Sequence, residues 1–172
     1  MNIQLKNIKF SEWNSEETNN FQATIHLNGK KVGYCKNDGR GGCTEYYGVE
    51  KYHSDDIKQM EEYCNNLPPI QYHGMSIPMN LENYIDQLFE EWLKNKDKER
   101  LNKKMVKDMS KGLVYETPNG YEILYWKKFT IEKFLESVNG TEFLKKQVDK
   151  LLGEGKKVLN TNIPFLNNPH VR

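Results

Sequence analysis

Residues 21–43 read FQATIHLNGKKVGYCKNDGRGGC, and the first half of this stretch decides the fold. Phe21, Ala23, Ile25 and Leu27 alternate with Gln22, Thr24 and His26, the period-two pattern of a strand with one buried face. Asn28-Gly29 follows. Both residues tolerate the positive φ that a type I′ turn requires at its two central positions, so the chain turns back on itself in a tight hairpin. That turn pairs Leu27 with Lys30, Ile25 with Val32 and Ala23 with Tyr34, a register in which the apolar parities match. Gly33 then falls on the opposite face, where a missing side chain admits another backbone or a ligand.

The second half of the stretch carries the candidate site. Asn37, Asp38, Gly39, Arg40, Gly41 and Gly42 place residues that accept positive φ side by side, so consecutive N–H groups can converge into an anion-binding nest. Arg40 can fork onto a phosphate or carboxylate, and Tyr46 and Tyr47, just beyond, can stack on a base. These eight residues are the candidate ligand-binding set. The competing reading is structural: a sharp connection that needs glycine, with tyrosines packed on a sheet edge. Cys35 and Cys43 flank the loop and leave a bridge at its base open.

Outward from this region, Ile3 and Leu5 share one parity and Ile8 and Phe10 the other, which predicts a strand with a phase change near Lys6-Asn7. Residues 44–53 predict another short strand. Ser54, with Asp55 and Asp56 behind it, predicts a helix start; Ile57, Met60, Cys64 and Leu67 give its apolar stripe, and Pro68-Pro69 its end. A connection or short hairpin around His73-Gly74 leads to Asn80, which caps the longest helix. Its stripe is Leu81, Tyr84, Ile85, Leu88, Trp92 and Leu93. Beyond residue 94 that stripe thins while Lys94, Lys96, Lys98, Arg100, Lys103, Lys104 and Lys107 accumulate. A hairpin around Pro118-Asn119-Gly120 comes next. Thr130 caps a helix that stops at Asn139-Gly140, a second helix starts at Thr141, and KVLNTNI supplies an edge strand. The expected fold is therefore α+β: an antiparallel sheet built from hairpins, packed against several helices, one of them long. A single domain spanning 1–172 is expected, with 94–111 a projecting basic helical extension.

The composition excludes several classes. With 25 Lys+Arg against 24 Asp+Glu the formal charge is +1, so attraction for polyanions must be local. No run of about 18 apolar residues suggests a membrane span, and the N-terminal residues lack the pattern of a leader peptide. A cytoplasmic, non-membrane protein is expected, and the three cysteines fit reduced thiols. No nucleophile elbow, phosphate-binding loop ending in Gly-Lys-Ser/Thr or paired-histidine zinc motif occurs, and His26, His53, His73 and His170 are far apart. Neither catalytic residues, nor a metal, nor a cofactor is expected; a magnesium site made by Asp38 with Glu45 or Glu50 is the least favoured alternative.

Residues 29–43, GKKVGYCKNDGRGGC, resemble a hairpin and loop found in small uncharacterised accessory proteins of bacteriophages and mobile elements. The resemblance covers mainly residues 1–50. It implies a phage-encoded protein, in the cytoplasm of a host bacterium, of a kind that often counters host defence, and it supplies no assigned activity. Joined to the glycine loop, it gives the leading expectation: a binding protein that sequesters a phosphate-bearing nucleotide signal. The alternatives are an inhibitor that occludes a host defence protein through the long helix and the hairpin at 113–126, with self-association open, and a nucleic-acid-binding accessory protein acting through Lys94, Lys98, Arg100, Lys103 and Lys104.

Overall fold

The computed structural model describes residues 1–49, 55–72 and 74–167. The expectations placed on Glu50, Tyr52, His53, Ser54, His73 and His170 lie outside these residues. The chain divides into two compact units, Met1–Asn95 and Lys96–Arg172, each with its own buried apolar cluster. The chain expected to form a single domain over 1–172 thus holds two separate buried clusters. Residues 96–109, anticipated as a projecting arm, form the first element of the second unit.

In the first unit, β1 (Ile3–Phe10), β2 (Phe21–Leu27), β3 (Lys30–Asn37) and β4 (Glu45–Gly48) form an antiparallel sheet in the order of the chain. The phase change in β1 is present: its register with β2 shifts between Lys6 and Lys9, and Asn7 has φ 52°. The turn between β2 and β3 is as expected, with Asn28 at φ 49° and Gly29 at φ 88°. The pairing beyond it is not. A bulge between Ile25 and His26 of β2 and the facing residues of β3 makes Val32 the extra residue, so Ile25 faces Gly33, Thr24 faces Tyr34 and Ala23 faces Cys35. Past Val32 every residue of β3 changes face. Cys35 and Asn37 turn inward and Tyr34 turns outward. Gly33 is buried, and a Cβ there would lie 2.6 Å from the Tyr47 carbonyl oxygen and 3.3 Å from Ile57 Cδ1.

One face of the sheet is covered by helices. α1 (Asp55–Asn65) buries Ile57, Met60 and Cys64. α2 (Leu81–Met109) starts where Asn80 Oδ1 accepts the Asn83 N–H at 2.7 Å. In its first half Leu81, Ile85 and Phe89 are buried, while Tyr84, Leu88, Trp92 and Leu93 are partly so. The stripe therefore centres on Phe89, which the sequence reading passed over. Its ring stacks on Phe21 at 4.0 Å and packs against Phe10 and Trp92. A two-stranded hairpin of β5 (Ile70–Tyr72) and β6 (Met75–Ile77) separates the two helices.

In the second unit, β7 (Gly112–Thr117) and β8 (Gly120–Tyr125) form the expected hairpin. The edge segment anticipated in KVLNTNI pairs with β7 through a bridge between Tyr115 and Val158. α3 (Ile131–Leu135) is capped by Thr130 as expected. Asn139-Gly140 is not a stop. α4 (Val138–Gly153) already includes both residues, and its cap is Ser137, whose hydroxyl accepts the Gly140 N–H. A Cβ on Gly140 would collide with the Phe134 carbonyl oxygen, so this glycine permits the end of α3 to abut the start of α4.

Candidate functional site

The glycine loop is held by its own first residue. Asn37 is buried, and its amide uses every hydrogen-bonding position. Oδ1 accepts the Thr18 hydroxyl and the Gly39 N–H, each at 2.9 Å; Nδ2 donates to the Gly42 carbonyl at 3.0 Å and the Thr44 hydroxyl oxygen at 3.1 Å. The Arg40 N–H donates to Asp38 Oδ1 at 3.1 Å, and the Gly41 N–H to Thr18 Oγ1 at 3.3 Å. Of the amides in the loop 37–42 read as a nest, the three at 39, 40 and 41 are thus each bound within the protein. The nest geometry sits on the other side of the junction. The N–H groups of Glu16, Glu17 and Thr18 converge on the Gly39 carbonyl oxygen at 2.9, 2.9 and 3.2 Å, so a backbone oxygen fills the place an anion would take.

The remaining candidates are divided by the pleat. Tyr46 and Tyr47 are neighbours on β4 and so point to opposite faces. Tyr46 packs against the core and donates to Glu61 Oε1 at 2.9 Å; burial, and then this carboxylate, push its phenol up to about 12. Tyr47 is 45% exposed and stacks on Tyr34, with ring centroids 5.7 Å apart. Arg40 is exposed, and its guanidinium has no ion-pair partner among the described residues.

A cavity of about 500 Å³ lies beside the loop. Asn37, Asp38, Gly42 and Cys43 form one side, Phe10, Ser11 and Asn20 another, and Lys9, Gln22, Lys36 and Glu45 its sheet wall. A second depression of about 240 Å³ shares Lys9, Gln22 and Lys36 with it and reaches Thr24, Tyr34 and Tyr47. The two depressions thus adjoin along Lys9, Gln22 and Lys36 on the open face of the sheet, one beside the stacked tyrosines and the other beside the loop, and together they are called the groove. Lys36 is bound to Glu45 at 2.9 Å, which raises its pKa. Lys9 has no ion-pair partner among the described residues.

Below the loop, Thr44 ties it to α2: its N–H donates to Glu82 Oε1 at 3.1 Å and its hydroxyl to Asp86 Oδ1 at 2.6 Å. Burial raises the Asp86 pKa against the lowering effect of that hydroxyl bond. All three cysteines are free thiols, so the bridge left open between Cys35 and Cys43 is not formed. Burial pushes Cys35 up to about 12 and Cys64 up to about 11, and the bond to Glu82 raises Cys43. Protonated thiols are poor nucleophiles and poor metal ligands at neutral pH.

Among the described residues no group of three or more His, Cys, Asp or Glu is arranged to hold a metal ion, and no helix is long and apolar enough to cross a membrane. Of the basic candidates on α2, Lys94 pairs with Glu90 at 3.6 Å, while Lys98, Arg100, Lys103 and Lys104 are exposed. Sequence reasoning missed Tyr34, which it assigned to the core, and the lysines of the sheet's open face. No family model matches the sequence, and no curated protein or solved structure matches it either.

Proposed function

We propose that this protein is a non-enzymatic binding protein for a phosphate-bearing nucleotide ligand, and that the ligand lies in the groove over the open sheet face. One observation carries the reading: a stacked tyrosine pair, Tyr34 and Tyr47, and two lysines, Lys9 and Lys36, line one depression on the open face, and both lysines also line the cavity that adjoins it. A base has an exposed aromatic face to stack on, and its phosphate has ammonium groups within the same groove. The glycine loop supplies the groove's end wall rather than an anion nest. The resemblance to phage and mobile-element accessory proteins suggests the purpose, sequestering such a ligand to counter host defence.

The test is calorimetric titration of the purified protein with mononucleotides and cyclic dinucleotides, alongside Lys9→Ala and Tyr47→Ala. Binding that weakens in both variants supports the reading. Arg40→Ala separates it from the nest reading: affinity lost only in that variant returns the site to the loop.

A second reading, an inhibitor that covers a host protein, is favoured by one feature of the second unit. Trp126, Phe134 and Phe143 form an aromatic cluster with Phe129, and Phe129 is 52% exposed and Phe143 37%. Phe129→Glu abolishing capture of a host protein, with no response to nucleotides, would favour it.

A further inference from the structure

The open face of the sheet is more basic and more extended than one nucleotide needs. Lys6 faces Thr24, Lys9 faces Gln22, Lys31 faces His26, and Lys36 faces both Gln22 and Glu45. Directly opposed residues share a face, and Thr24, His26 and Gln22 alternate with the buried Ala23, Ile25 and Leu27. All four lysines therefore stand on the open face. Glu45, which engages Lys36, stands among them, and Asp38 lines the loop side of the cavity that Lys9 and Lys36 also line. Lys6, Lys9 and Lys31 have no ion-pair partner among the described residues.

This concentration is local, because residues 1–95 as a whole hold 9 Lys+Arg and 14 Asp+Glu. The other acidic side chains lie largely on the turns and on the helices behind the sheet. The lysines are also spread. Lys31 and Lys36 stand about 15 Å apart along β3, and β1 to β4 span about 14 Å across, from the usual rise and spacing of strands. The Tyr34 and Tyr47 rings lie within this lattice, with Lys31 Nζ 4.2 Å from the Tyr34 ring centroid.

We infer that the open face binds single-stranded nucleic acid, a polyanion whose unpaired bases stack on Tyr47 while successive phosphates meet Lys6, Lys9 and Lys31. The inference rests on the nucleotide reading above and names its ligand as a polymer. Charge complementarity selects a polyanion. The exposed aromatic selects one with accessible base faces, which a duplex lacks.

The test is fluorescence anisotropy of the full chain with labelled oligothymidylates from about 2 to about 12 nucleotides, spanning the usual site sizes for such platforms. Affinity should rise with length and exceed that for thymidine monophosphate by more than tenfold. The plot of log affinity against log salt should have a slope of about −2, from three unpaired lysines at about −0.7 each. Lys6→Ala, Lys9→Ala and Lys31→Ala together should bring that slope near zero, and Tyr47→Ala should cost about tenfold, the loss of one stacked base. These sites are exposed, and circular dichroism checks that the variants remain folded. A control removes the basic residues that recur along α2 at helical spacing, Lys96, Arg100, Lys103 and Lys107, and should leave affinity and slope unchanged.

Four results would overturn the inference. Oligonucleotides that bind no better than the monophosphate would leave the nucleotide reading standing without the polymer. A duplex bound more tightly than the single strand, or binding lost only in the α2 variant, would move the polyanion site off the sheet. Absence of binding by monophosphate and oligonucleotide alike would remove both readings together.

Discussion

Asn37 holds the loop closed by satisfying four neighbours at once, and little can replace it. Asn37→Ala would take one bond each from the Thr18 and Thr44 hydroxyls and would remove the Asn37 partner of the Gly39 N–H and the Gly42 carbonyl, leaving a small void. A buried network of this kind is worth more than its bonds counted singly. The expected loss is about 2–4 kcal/mol in urea denaturation. Gly39→Ala should also destabilise, since Gly39 has φ 83° and an added Cβ would collide with the Asn14 carbonyl oxygen. Asp86, beneath the loop, gives the pH dependence a sign. Its folded pKa lies above the ordinary carboxyl value of 3.8, so in the window between the two the folded chain binds more protons than the unfolded one. Stability contributed there falls as pH rises and is lost once pH has passed the folded pKa. Asp86→Asn keeps an acceptor for the Thr44 hydroxyl and removes that slope. Urea midpoints should place this variant at or above the parent at pH 7 and remove its relative advantage at low pH. Tyr46 is the third case: difference absorption during alkaline titration should show one phenol ionising near pH 12, absent in Tyr46→Phe.

At the scale of elements, β3 shows what the sequence held and where its reading slipped. The Asn-Gly turn was legible because only one turn type suits that dipeptide, and the shift in β1 because its apolar residues change parity. The same argument applies to β3, through its charges. Lys31 and Lys36 have opposite parity, so a strand that exposes both needs a phase change between them, and the bulge at Val32 is that change. Reading only the apolar residues put Tyr34 in the core and hid the open face. The glycine loop was visible as a loop. The bonds of the Gly39 and Arg40 amides to Asn37 and Asp38, two positions back, were local and could have been read as side-chain turns, whereas the Gly41 amide's partner Thr18 lies 23 positions away. Phe89 was overlooked for a different reason. Helical periodicity allows several neighbouring stripes on α2, and the ring of Phe21 beneath it makes Phe89 the centre. Phe89→Ala should therefore cost about 3–5 kcal/mol, the range for truncating a buried aromatic. Leu101→Ala, on the exposed part of the same helix and 49% exposed, should change stability by less than about 0.5 kcal/mol. Denaturant midpoints of the two variants test the placement of the buried stripe.

For the whole molecule, a formal charge of +1 conceals a division. Residues 1–95 hold 9 Lys+Arg against 14 Asp+Glu, and residues 96–172 hold 16 against 10, so the two units carry net charges of opposite sign. A chain built this way should not behave as a neutral protein would. At about 0.01 M salt the Debye length is about 30 Å, and the acidic unit of one copy attracts the basic unit of another; at about 1 M it is about 3 Å and the attraction is screened. Weak self-association that depends on both concentration and salt is the expected consequence. In sedimentation velocity, the weight-average coefficient should rise with protein concentration at low salt and stay flat at high salt. Removing the basic residues of α2 at 96, 100, 103 and 107 should suppress the rise, because those side chains supply four of the second unit's sixteen positive charges. A rise that survives at high salt would instead indicate an apolar contact, and the exposed ring of Phe129 in the aromatic cluster would then be the surface to alter.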